Sequence, residues 1–222
     1  MTSPLLVSIQ VARPGVYGRP DADDWMDQPW QTGFYKQQVD GPRRLSRTNL
    51  DGDGQADLHN HGGPDKAVLA YASAHYPAWR ELLDRPDLPH GAFGENFTVD
   101  GLDEDTVSIG DIYRLGTALV EVSQPRQPCW KLARRWRIKE LPALVEQTGR
   151  TGWYLRVLEE GEVAPGQLLT LQERPYPDWT VTRATRTMRG RTRDRAAAGE
   201  LAGIEALAAS WRDRLAEAAG HR

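Results

Sequence analysis

The sequence predicts a mainly β fold with some α: a barrel or sandwich-like core of short strands, followed by a small helical segment. Three observations predict it. Short apolar stretches, several of period two, recur from Leu5 to Glu173. Turn residues separate them, and few helical patterns intervene. All strand signal stops after Pro175-Tyr176-Pro177. A chain of 222 residues suits one large domain with a small addition, and buries a core without staples.

The elements follow in order. Leu5, Val7, Ile9 and Val11 point one way with Ser8 and Gln10 opposite, the pattern of a half-buried strand that Arg13-Pro14-Gly15 ends. Residues 18–32 read as a loop. Gly33 to Val39 and Arg44 to Leu50 read as strands around the Asp40-Gly41-Pro42 turn, and a Gly- and Asp-rich loop runs from Asp51 to Asp65. Ala67 to Ala72 is an apolar run expected as a buried strand. Tyr76, Trp79, Leu82 and Leu83 then recur at helical spacing, with Ser73 as the expected cap. Phe93 to Val99, Asp111 to Leu115 and Thr117 to Ser123 read as strands, the last two as a hairpin around Gly116 with Ala118, Val120 and Val122 inward. Cys129 to Trp136 and Glu140 to Gln147 read as helices, and Trp153 to Leu158 and Gln167 to Glu173 as strands. Beyond the boundary, Leu201, Ile204, Leu207, Ala208, Trp211 and Leu215 fall on one helical face. The expected division is therefore 1–176 and 177–222.

Composition narrows the function. With 28 Lys and Arg against 31 Asp and Glu, the net charge of −3 does not describe a chain built to neutralise phosphates. Six arginines between Arg183 and Arg195 lack a recognised nucleic-acid fold signature, so nucleic acid is not expected as a partner. A single Cys excludes an intramolecular disulfide and a thiolate zinc finger. No apolar run approaches the roughly 18 residues of a membrane helix. Leu5 to Val11 is interrupted by polar residues with no basic residue before it, so no secretory signal is read and the expected location is cytoplasmic.

Several constellations carry chemistry. Cys129 follows Ser123-Gln124-Pro125-Arg126-Gln127-Pro128, just past a strand end and near a helix start. Arg126, Lys131 and the helix terminus all favour a thiolate, which a nucleophile or a soft metal centre needs. His59-Asn60-His61-Gly62-Gly63-Pro64-Asp65-Lys66 admits three readings. These are two imidazoles on one face, a backbone cradle for an anion with Lys66 adding charge, and a tight turn that needs Gly and Pro. Asp51 to Asp57 resembles the start of a calcium loop but has Ala56 where Gly is demanded and Gly62 where a bidentate Glu is needed, so it reads as an acidic surface turn. Gly91-Ala92-Phe93-Gly94-Glu95-Asn96-Phe97 carries an amide able to bond a heterocycle or to cap a turn.

In this order, Thr32-Gly33-Phe34-Tyr35-Lys36, His61 to Val68, Gly91 to Phe97, Val122 to Cys129 and Gly149 to Tyr154 resemble the MOSC domain family, the C-terminal type of molybdenum cofactor sulfurases. The branch most similar is the 6-N-hydroxylaminopurine resistance (YiiM-type) branch. The resemblance spans almost the whole chain and implies a MOSC-type strand-rich β-barrel with a small C-terminal three-helix domain. It implies a molybdenum cofactor of molybdopterin type, with Cys129 as the protein ligand to molybdenum. Candidates to hold its phosphate are Lys36, Arg47, Lys66, Arg126 and Arg156, with backbone donors at Gly62 and Gly63. Asn96 and Gln127 are candidates to hydrogen-bond the pterin. The implied activity is reduction of N-hydroxylated small molecules, such as N-hydroxylated bases, to amines. His61 is the candidate proton donor, an external reductase supplies electrons, and a homodimer is compatible with the reading. The alternative is a carrier of the molybdenum cofactor or of sulfur, without turnover.

Overall fold

The computed structural model describes residues 3–220. Its first third holds β1 (Leu5–Val11), β2 (Gly15–Tyr17), β3 (Trp30–Thr32), β4 (Gln37–Val39), β5 (Arg43–Leu45) and α1 (Leu58–His61). The middle holds β6 (Val68–Ala72), α2 (Tyr76–Leu82), β7 (Phe97–Asp100), β8 (Ile112–Leu115), β9 (Ala118–Pro125), α3 (Lys131–Trp136) and α4 (Leu141–Thr148). β10 (Trp153–Glu159), β11 (Gly161–Val163), β12 (Leu169–Glu173), α5 (Val181–Gly190), α6 (Arg195–Ala202) and α7 (Ala209–Ala219) complete it.

Eight strands form one sheet in the order β12-β8-β9-β10-β6-β7-β1-β4. Every pairing is antiparallel except β6 with β7. The sheet curls onto itself. The Leu6 amide donates to the Gln167 carbonyl (2.9 Å), the Gly166 amide to the Leu6 carbonyl (2.8 Å) and the Leu169 amide to the Pro4 carbonyl (2.9 Å). β1 thereby meets the entry to β12 and closes a barrel, which removes an open edge.

Period two explains most inward faces. Leu115 pairs with Ala118 across Gly116, as the hairpin reading requires, and Ala118, Val120 and Val122 are fully buried. β6 is buried on both faces. Val68 and Ala70 join the barrel core, while Tyr71 joins a second cluster with Tyr76, Trp79, Phe93, Leu132 and Val145. A continuous apolar run is what such a two-sided strand needs. Each large side chain taken fully out of water contributes about 1.5–3 kcal/mol.

β1 departs from its alternation. Its register shifts between Leu6 and Ser8, so Leu6 and Ile9, not Leu5 and Val7, reach the barrel core. A bulge inserts one residue and reverses which face is inward. Past the bulge Ile9 and Val11 face the core with Ser8 and Gln10 opposite, as expected, yet both polar residues are buried on that outer side, where Ser8 Oγ bonds His90 Nδ1 at 2.7 Å and Gln10 Nε2 donates to Ser8 Oγ at 2.5 Å. The region read as a loop contains the β2/β3 ribbon, and β11, which pairs with β5, had no alternation to announce it. The strands expected over 33–39 and 44–50 shrink to β4 and β5. Ser73 does not cap α2; its hydroxyl donates to Asp100 Oδ1 at 2.8 Å instead.

Two of the three C-terminal helices, α5 and α6, start on side-chain caps. Thr180 Oγ1 accepts from the Arg183 amide, and Asp194 Oδ1 accepts from the Ala197 amide. The residues expected on one continuous helical face are divided: Leu201 lies in α6, Trp211 and Leu215 in α7, and Ile204, Leu207 and Ala208 in the turn that begins at Gly203. All six stay buried, and five of them, Leu201, Ile204, Leu207, Trp211 and Leu215, belong to the same apolar cluster as the barrel interior. The start of α7 is tied to the barrel as well: the Ala208 amide donates to the Ser123 carbonyl at 2.9 Å. The helices are thus one packed body with the barrel. No helix among the described residues is long and apolar enough to cross a membrane.

Candidate functional site

The site forms outside the barrel, where β6, β9 and β10 lie side by side. In β10, Trp153, Leu155 and Val157 face the core, so Tyr154 and Arg156 face away from it. Tyr154 opens into a cleft also lined by Phe34, Lys36, Gln55, His61, Lys66, Leu69, Phe93, Asn96, Arg126, Cys129 and Lys131. The walls are segments that follow strand ends: the loop after β3, the turn around Gly54, the α1 turn and the loop from β9 to α3. Two of these approach so closely that only glycine fits. A Cβ on Gly33 would lie 2.1 Å from the Gly54 carbonyl oxygen.

The cleft gathers Cys129, His61, Lys36, Lys66, Asn96 and Arg126 from the sequence-predicted residues. It also brings in Lys131, read from the sequence as a cation beside the thiol, and adds Tyr154, which the sequence reading had only quoted within a motif. Cys129 is half-buried with a free thiol. Arg126 is 3% exposed. Its Nη2 donates to the Phe93 carbonyl at 3.1 Å, while Nη1 is buried and has no partner. Lys131 is 8% exposed, and Lys66 donates to the Asn60 carbonyl at 2.7 Å. Among the described residues none of these three cations forms an ion pair. Lys66 and Lys131 add positive charge that the cleft does not neutralise.

The field is visible at His61. Burial, and then the neighbouring Lys131, push its pKa down to about 4; Lys66 and Arg126 push the same way, and only the exposed Asp57 opposes them. An imidazolium at neutral pH would be one more cation in a partly dry, already positive cleft. Tyr154 moves oppositely. Burial raises its pKa to about 12, with Cys129 adding to the rise and Arg126 working against it.

Two residues line the cleft but are spent on the protein itself. Lys36 forms a buried ion pair with Asp53, whose Oδ1 also accepts from the Ala12 amide at 2.9 Å. Asn96 donates from Nδ2 to Asp53 Oδ2 (2.8 Å) and to the Gln10 carbonyl (3.2 Å), and its Oδ1 accepts from the Leu69 amide (3.2 Å). Asp53 was expected on an acidic surface turn; it lies under the cleft instead, and Lys36 and Asn96 converge on it. Sequence spacing carries no signal for that long-range convergence.

Other predicted residues are not brought to the cleft. Arg47 donates to the Val157 carbonyl (3.2 Å), and its backbone amide bonds Glu160. Arg156 is clamped between Asp65 (2.7 Å) and Glu121 (2.5 Å). Gln127 is exposed and accepts from Arg214 at 3.1 Å. Gly62 and Gly63 adjoin the cleft without lining it. The Gly62 amide already donates to the Leu58 carbonyl, and Gly63 sits at φ 90°, a turn that glycine makes without strain. Turn geometry therefore accounts for this pair.

Among the described residues no three His, Cys, Asp or Glu side chains cluster to cage a metal. The donor set instead suits a group that brings most of its own metal ligands and carries an anion. One soft thiol stands near a buried guanidinium nitrogen without a partner and two unpaired ammonium groups. A molybdopterin-type cofactor has this chemistry, so the residues present fit it.

Comparison with known proteins agrees with this architecture. Residues 57–170 match the MOSC domain, and residues 179–217 match the YiiM-like 3-alpha helix domain. The chain is 48% identical over 195 residues to YflK of Bacillus subtilis (strain 168), covering 88% of each. It is 44% identical over 163 residues to a Gibberella moniliformis (strain M3125 / FGSC 7600) protein named reductase, covering 72% of this chain but 29% of that one. The crystal structure of YiiM from Geobacillus stearothermophilus superposes with a TM-score of 0.81 at 37% identity, covering 97% of this chain and 99% of the other.

Proposed function

Because the chain belongs to the MOSC domain family and carries the YiiM-like three-helix domain, we propose that it is a molybdenum-cofactor-dependent reductase of N-hydroxylated compounds. Its substrates would include N-hydroxylated bases such as 6-N-hydroxylaminopurine, and its products the amines. One observation carries the reading: the buried, unpartnered Arg126 Nη1 lines the same cleft as the chain's single thiol. The reductase name of the fungal relative supports the reaction class.

Cys129 would be the protein ligand to the metal, and Arg126, Lys66 and Lys131 would neutralise the cofactor's phosphate. Bound there, the cofactor supplies the two electrons that N–O cleavage consumes. The conversion of R–NHOH to R–NH2 and water also takes two protons. With the protein's own charges alone, burial and Lys131 keep His61 neutral at pH 7, so there it is a neutral hydrogen-bonding group, and the anionic cofactor would offset the cations that depress it. Tyr154 keeps its hydroxyl proton throughout the physiological range and holds it in the cleft. A separate donor protein would return the electrons.

Protein expressed with molybdate is expected to hold about one molybdenum per chain, the stoichiometry of a single thiolate site. Cys129→Ala should lose metal and reduction of 6-N-hydroxylaminopurine together. Reduction that survives in Cys129→Ala would end the assignment. Bound metal without reduction by any donor system would turn it toward cofactor carriage.

A further inference from the structure

In the segment from Gly91 to Asn96 the Asn96 amide is spent on Asp53. The carboxylate beside it, Glu95, is fully buried and forms no ion pair among the described residues. Four neutral donors meet its charge instead. Oε1 accepts from the Gly91 amide (2.6 Å), from Thr98 Oγ1 (3.2 Å) and from the Tyr76 hydroxyl, and Oε2 accepts from the Phe93 amide (3.1 Å). The side chain thus folds back on the turn that precedes it and holds two alternate amides at once. A carboxylate offers one oxygen to each, whereas a carboxamide of the same size has a single acceptor atom. Glycine completes the turn. Gly94 sits at φ 83°, and a Cβ there would lie 2.5 Å from the Phe34 ring.

The same turn is part of the cleft, which Phe93 and Gly94 line. Its carbonyls are gripped by three side chains of the loop and helix that flank Cys129. The Phe93 carbonyl accepts from Arg126, the Ala92 carbonyl from Trp136 Nε1 at 2.8 Å and the Gly91 carbonyl from Arg135 Nη1 at 2.8 Å. Phe93 is also stacked on Tyr71, with ring centroids 4.7 Å apart and 14° between the planes. Phe93 therefore stands between a buried carboxylate on its amide and a buried guanidinium on its carbonyl. α3 has a second anchorage, since Arg134 donates to the Met26 and Gln28 carbonyls. The Arg126 side chain has none: among the described residues the Phe93 carbonyl is its one hydrogen-bond partner, and it decides where the partnerless Nη1 points. Burying a charge is costly even when every acceptor is used, and what this charge secures is the Phe93 turn.

We propose that Glu95 is a positioning residue: by fixing the Phe93 turn it aims Arg126 into the cleft, and so sets the affinity of the cleft for a phosphate-bearing anion. That the anion is a cofactor rests on the reading above; the aiming of Arg126 does not. Glu95 acts only through Arg126, being sealed beneath the turn itself.

Titration calorimetry with inorganic pyrophosphate on the purified full chain tests this without turnover, in a cycle of the parent, Glu95→Gln, Arg126→Met and the double variant. Glu95→Gln should bind pyrophosphate about tenfold more weakly, the loss of one charge-assisted hydrogen bond to the anion. In the Arg126→Met background the same replacement should change binding by less than about twofold, because the residue it acts through is gone. Thermal melts establish that each protein is folded. Should Glu95→Gln not fold, Thr98→Val strips one donor from the same carboxylate, and a weakening of about threefold, confined to the chain that keeps Arg126, is expected. Unchanged binding in the folded variant overturns the proposal. Equal weakening with and without Arg126 does so too, since that marks a residue that merely holds the cleft together. Arg126→Met binding as tightly as the parent would remove both the proposal and Arg126 from cofactor binding. Loss of the reductase assignment, read from turnover by Cys129→Ala, would leave the result of the cycle standing.

Discussion

Lys36 and Arg126 line one cleft, and both are almost wholly buried, yet they solve burial in opposite ways. Lys36 is 7% exposed and meets Asp53, which Asn96 and the Ala12 amide also engage. Arg126 is 3% exposed and meets one carbonyl, with a nitrogen left over. A buried charge without a partner costs several kcal/mol unless something arrives to compensate it. The satisfied cation belongs to the scaffold. The unsatisfied one, with Lys66 and Lys131 in the same cleft, is the one left for the cofactor proposed above.

Breaking the satisfied pair should have the largest effect. Asp53→Ala strands Lys36, removes an acceptor from Asn96 and the Ala12 amide, and is expected to cost about 3–5 kcal/mol in urea denaturation. The double replacement Lys36→Met/Asp53→Leu should recover the part of that loss due to the stranded ammonium, leaving the part due to the unpaired Asn96 amide and Ala12 N–H. A double variant as unstable as Asp53→Ala alone would show that the charge pair is not the cause.

The next effect reads the field in the cleft. His61 has a folded pKa of about 4 against an ordinary 6.5. As pH falls through that window the unfolded chain takes the proton first, so stability is complete above about 6.5 and declines toward 4. After discounting for partial solvent screening, this loss amounts to about 1–2 kcal/mol. His61→Asn should flatten that part of the pH–stability curve, and equal pH dependence in the two proteins would contradict a cationic cleft.

The smallest effect belongs to the unpaired cation. Arg126→Met relieves a buried charge that no acid compensates and gives up only the bond to the Phe93 carbonyl, so it is expected to raise stability, by about 1 kcal/mol. It should also weaken cofactor retention. A loss as large as that of Asp53→Ala would place Arg126 in the scaffold beside Lys36.

Some of this was legible in one dimension. Ala118, Val120 and Val122 were readable as an inward face because an uninterrupted hairpin preserves period two. Cys129 was readable as a site residue because prolines and basic residues mark its loop within the chain itself. β1 was misread for one reason: the bulge between Leu6 and Ser8 leaves no trace in the hydrophobic pattern, yet reverses it. Arg156 was misplaced for another. It lies two positions past Tyr154, on the same outward side of β10, but Asp65 and Glu121 claim it from two other segments.

The amino-acid sequence by itself determined the strand-rich class, the helical ending and the lone thiol among basic residues, because periodicity, turn chemistry and local charge are properties of neighbours along the chain. Only the tertiary structure decided which cations remain free. Whether Lys36 or Arg126 finds an acid depends on segments distant in sequence that meet after the barrel closes, and electrostatic energy is set by distance in space.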